Sequence, residues 1–74
     1  MSDSMTLQGT VQKSQMGVGT WALLAGRTYE IYKAQPKEML EDGKLVRVTG
    51  RIRDDVMTIA MIGPVFEVES FEEL

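Results

Sequence analysis

The residues in this chain best equipped for chemistry are three arginines and three aromatic rings. Arg47, Arg51 and Arg53 recur with Thr49 at alternate positions of one segment, and side chains two apart share one face of a strand. Guanidinium forks repeated along a face can hold an anionic ligand or a phosphate backbone. The same spacing suits cross-strand pairing with Glu67 and Glu69, or protection of an edge. That structural reading is favoured, because too few other cations flank the stripe. Trp21, Tyr29 and Tyr32 lie on two neighbouring apolar segments, where exposed rings could stack bases. Trp21 is in phase with Leu23, and Tyr29 with Ile31, so these two rings are expected in or around the core. Tyr32 has the opposite phase and is the better candidate for an exposed ring.

Catalytic and metal chemistry find little to work with. The chain has no His and no Cys, which removes the usual bases that activate a nucleophile. Ser4 and Ser14 come nearest to that role, but no spacing favours a partnership with Lys13 or Lys44. Asp54 and Asp55 carry ligand oxygens, yet the alternating donors and distant Glu of a calcium loop are missing, and a hairpin turn is expected there. No enzymatic activity, metal or cofactor is expected.

The elements that must position these side chains read mainly as strands. Residues 5–13 alternate Met5, Leu7, Gly9 and Val11 against Thr6, Gln8, Thr10 and Gln12, the period-two pattern of a half-wet strand. Residues 14–19 supply turn chemistry, 20–24 a second strand, and Gly26-Arg27 a tight connection into a third strand at 28–32. Pro36 and Gly43 bracket one or two helical turns, with Met39 and Leu40 placed to cover an open end of a barrel. Residues 44–53 give the clearest alternation, Val46, Val48, Gly50 and Ile52 inward and the arginines outward. Residues 56–62 are apolar on both faces, and Gly63-Pro64 interrupts that strand before residues 65–71 resume the alternation. The expected interior holds Leu7, Val11, Leu23, Tyr29, Ile31, Val46, Val48, Ile59 and Val68.

Seventy-four residues can enclose one core, so residues 1–74 are read as a single domain, ordered from 5 to 71 and frayed at 1–4 and 72–74. Without disulfides, stability must come from sheet closure, packing or self-association. No stretch reaches the ~20 apolar residues of a membrane span, and the first residues do not resemble a secretory signal. A cytoplasmic location is the expectation. The net charge of −3 opposes a protein whose main task is tracking phosphates.

The order strand-strand-strand-helix-strand-strand is the plan of the OB-fold. The chain resembles small, largely uncharacterised bacterial OB-type proteins in Gly9-Thr10-Val11, in Gly19-Thr20-Trp21-Ala22-Leu23, in Gly43 to Gly50, and in residues 58–65 with Val68. What the resemblance implies is an all-β, five-stranded Greek-key OB-type barrel with one short helix between strands 3 and 4. It transfers no catalytic or ligand residue, because such folds host many unrelated ligands.

Two functions compete. The first is a non-enzymatic protein-binding or self-assembly module, suggested by the acidic balance and by the doubly apolar strand, where Ile62 is expected to point outward as a contact residue. The second is binding of single-stranded nucleic acid, or of a small anion, through Trp21, Tyr32 and the stripe Arg47, Arg51 and Arg53.

Overall fold

The computed structural model describes residues 4–14, 19–56 and 62–74. The alternating segments become β1 (Met5–Lys13), β2 (Trp21–Leu24), β3 (Thr28–Ile31), β4 (Leu45–Ile52) and β5 (Val65–Glu73). The β1, β2 and β3 meander is antiparallel, and β4 lies antiparallel to β1. The ladders run β1-β2-β3-β5-β4 and return to β1, closing the sheet on itself. The sheet is mixed, because β5 runs antiparallel to β4 but parallel to β3. That parallel seam is only two residue pairs long, Glu30 with Val65 and Ile31 with Phe66.

The OB-type plan is corrected at its helix. Where one short helix was expected between strands 3 and 4, the chain makes two isolated 3₁₀ turns, Tyr32–Ala34 and Lys37–Met39. Helix nucleation fixes several residues for one hydrogen bond, and here the backbone leaves helical geometry at Leu40, with φ −82° and ψ 87°. Within the first turn Lys33 and Ala34 both adopt positive φ, 54° and 48°. Side chains rarely take this left-handed conformation. Met39 is nonetheless fully buried, so a 3₁₀ turn suffices to send this side chain into the core.

The interior gathers Val11, Leu23, Tyr29, Ile31, Met39, Val46, Val48 and Phe66, with Leu7, Trp21, Ile52, Val68 and Phe71 packed against them. Leu7 and Val68, expected inside, are half-buried, and Ile59 lies outside the described residues. Phe66, absent from the expected interior although it shares the phase of Val68, is one of the largest fully buried side chains. The Tyr29 ring meets it edge-on, with centroids 6.0 Å apart, a favoured aromatic geometry.

A bulge resets the phase of β5. Thr49 pairs with Ser70 while Gly50 pairs with Val68, which leaves Glu69 as the extra residue. The inward set therefore steps Phe66, Val68, Phe71, by two and then by three. Gly50 permits the bend: a Cβ there would run into the Glu67 carbonyl oxygen and lie 2.9 Å from Phe66 Cε1. Beyond the bulge the strand stays in the sheet to Glu73, where the sequence suggested a frayed tail. Lys44 Nζ holds that end, 3.6 Å from Glu73 Oε2, and the Leu74 N–H donates to Leu45 O at 3.0 Å.

Candidate interaction surface

Strand register sorts the outward side chains into rows that cross the sheet. Residues directly opposite each other in antiparallel strands share a face. Thr10 is opposite Leu24 of β2 and Leu45 of β4, and Leu74 sits beside Leu45. The row Leu24, Thr10, Leu45, Leu74 thus crosses β2, β1 and β4 on the outer face and ends just past β5, with Leu24, Leu45 and Leu74 exposed by 37%, 54% and 52%. The next row is Gln8, Arg47 and Glu72, and the one after it Thr6, Thr49 and Ser70. The signal for the leucines was present in the sequence, since Leu24 and Leu45 occupy the wet phase next to inward Leu23 and Val46. Phase alone does not align them, because which leucine lies beside which depends on register.

The three candidate arginines do share the outer side, and each has carboxylate partners. Arg47 Nη1 donates to Glu72 Oε1, and Arg51 Nε to Glu67 Oε1 at 3.1 Å. Arg53 holds Asp55 with two parallel bonds, Nε to Oδ1 at 2.9 Å and Nη2 to Oδ2 at 2.8 Å, and its Nη1 donates to Glu67 Oε1 at 3.1 Å. Glu67 is thus the cross-strand partner anticipated from sequence, while Glu69, displaced by the bulge, is replaced by Glu72. The Arg53 guanidinium pulls the Asp55 carboxyl down to about 2. Arg51 and then Arg53 hold Glu67 below the usual carboxylate range. Asp55 and Glu67 in turn raise Arg53 above its ordinary value. Bonds to the charged form favour it in each case.

Tyr32 heads the first 3₁₀ turn and is half-buried. Its ring carries Arg53 Cζ 4.9 Å from its centroid and Lys33 Nζ 5.3 Å from it, a cation–π geometry. Trp21 packs against the core cluster, as its phase with Leu23 implied. The structure therefore brings Tyr32, Arg51 and Arg53 together, and sets Trp21 and Arg47 apart from them.

Ile62 is half-buried on the outer side, lining a cleft of about 440 Å³ with Ala22, Leu24 and Thr28 among others. Ala22, Glu30 and Val65 form one outward row yet are buried. The Glu30 N–H donates to Pro64 O at 2.8 Å, continuing the β3–β5 seam, and Ile62 lines the cleft beside Ala22 at the end of that row. The inward and outward sets expected along residues 57–61 lie outside the described residues.

Among the described residues, no group of three or more His, Cys, Asp or Glu is placed to hold a metal ion, and no helix is long and apolar enough to cross a membrane. No family model, curated protein or solved structure matches the chain. The resemblance to bacterial OB-type proteins is therefore not supported: the Gly, Trp and Val positions that suggested it are framework positions that many small β-sheets use for close approach and core packing.

Proposed function

We propose that this chain is a non-enzymatic protein-interaction or self-assembly module. The observation that carries this reading is the outer row Leu24, Thr10, Leu45, Leu74, which sets three exposed leucines in one line from β2 to the end of β5. Scattered surface leucines need no explanation, but aligned ones form a patch of the kind that partners cover. The absence of His and Cys from the sequence supports a binding role over a catalytic one. The pairing of Arg47, Arg51 and Arg53 with carboxylates weakens the case for phosphate tracking, since paired arginines add little net positive field.

Two measurements test this reading. Light scattering over a range of protein and salt concentrations is expected to show association that survives added salt. Titration with a mixed-sequence oligonucleotide is expected to show no tight complex at physiological salt. A strict monomer that binds the oligonucleotide tightly, with affinity collapsing as salt rises, would overturn it.

A further inference from the structure

The outer face of β4 and β5 is complementary to itself. On the C-terminal side of the β5 bulge, the outward residues of β4 are Leu45, Arg47 and Thr49, and beside them stand Ser70 and Glu72 of β5 and Leu74 just past its end. Each row thus holds two side chains that would also suit each other across an interface: leucine with leucine, guanidinium with carboxylate, hydroxyl with hydroxyl. An isologous contact requires this property, because one patch must meet its own copy.

We propose that this face binds a second copy of the chain, about a two-fold axis running parallel to the strands between β4 and β5. That operation lays β4 of one protomer over β5 of its partner. Leu45 then meets the partner's Leu74, Arg47 the partner's Glu72, and Thr49 the partner's Ser70, each contact occurring twice. An axis across the strands would lay β4 over β4 instead: through the Arg47 row it stacks Arg47 on its own copy, and through the Thr49 row it sets Arg47 on the partner's Arg51. Like charges held in a desolvated contact repel, so charge selects the first arrangement.

The contact is modest. Two strands at ~4.8 Å spacing present a narrow face, smaller than the ~800 Å² per partner of a standard interface. The dimer is accordingly a concentration-dependent one. Its ionic row gives orientation, and its leucines give most of the attraction. This assignment rests on the interaction-module reading, naming the partner and the face.

Charge reversal tests it. Arg47→Glu alone sets Glu72 against a carboxylate both within the chain and across the axis. Glu72→Arg does the same with two cations. Sedimentation equilibrium is expected to show each single variant associating at least about tenfold more weakly than the parent. An equimolar mixture of the two is expected to recover association, because only the mixed dimer pairs opposite charges across the axis. The double variant Arg47→Glu/Glu72→Arg restores the pairs in one chain and is expected to dimerise like the parent, which separates loss of contact from loss of fold. A parent that self-associates unchanged by either reversal uses another face, so this assignment falls while the interaction reading stands. Failure of the mixture to recover association overturns the axis. A parent that stays monomeric to millimolar concentration overturns the dimer, and the oligonucleotide titration then decides whether the interaction reading falls with it.

Discussion

The Arg53 guanidinium lies 4.9 Å from the centre of the Tyr32 ring while all three of its nitrogens donate to Asp55 or Glu67. The best candidate for a base-stacking ring and the best candidate for a phosphate-binding fork thus occupy each other. An incoming nucleotide would have to displace a bidentate carboxylate pair to reach the arginine, and the arginine to reach that side of the ring. Tyr32→Ala is accordingly expected to leave the affinity for a mixed-sequence oligonucleotide unchanged and weak. Fluorescence anisotropy at low and physiological salt measures this, and a marked loss of affinity in the variant would restore the stacking reading.

The same cluster sets a pH dependence. Asp55, at about 2, and Glu67, below its ordinary range, both titrate lower in the folded chain than in the unfolded one. Their pairing therefore stabilises the fold above the ordinary carboxylate range and is lost as pH falls, for Asp55 through about 2. The side chains are partly exposed, so salt screens the effect. Thermal melts between about pH 6 and about pH 2 are expected to show a decline that is flatter in Arg53→Gln than in the parent. Parallel curves would mean that the cluster contributes nothing measurable.

Val48 and Phe66 test the interior. Val48→Ala empties part of a fully buried site and is expected to cost about 2 kcal/mol, lowering Tm by roughly 8–16 °C in a domain of this size. Phe66→Ala is expected to cost about 3–5 kcal/mol, close to the whole stability of a small domain. Denaturant melts measure both, and a Val48→Ala variant that melts with the parent would contradict the inward phase of β4.

Gly50 and Gly9 are expected to resist substitution for a steric reason. A Cβ at Gly50 would collide with the Glu67 carbonyl oxygen, and one at Gly9 with the Leu24 carbonyl, whose carbon would lie 2.8 Å away. Backbone atoms cannot step aside as the tip of a side chain can. Gly50→Ala is therefore expected to cost at least about 3 kcal/mol, the upper end of ordinary overpacking. An amide spectrum with the dispersion of the parent, and a Tm within a few degrees of it, would show that the bulge can relax.

Much of the sheet is legible in the residues alone. Alternation over two residues marks β1 and β4, and the phase of Trp21 and Tyr29 against Leu23 and Ile31 gives their direction, because the period of a strand is a local property of the backbone. The turn chemistry of Pro36 and Gly43 likewise announces a break between strands. It does not determine whether the chain there can finish a helix, which depends on how soon Met39 must enter the core. What tertiary structure alone decides is everything that runs across strands. The Glu69 bulge, the exchange of Glu69 for Glu72 as an arginine partner, and the leucine row from Leu24 to Leu74 all follow from register. Register is set by contacts between residues far apart in the chain. A shift of one residue would turn every row to the other face, so no reading of neighbours along the sequence could have specified which outward side chains meet.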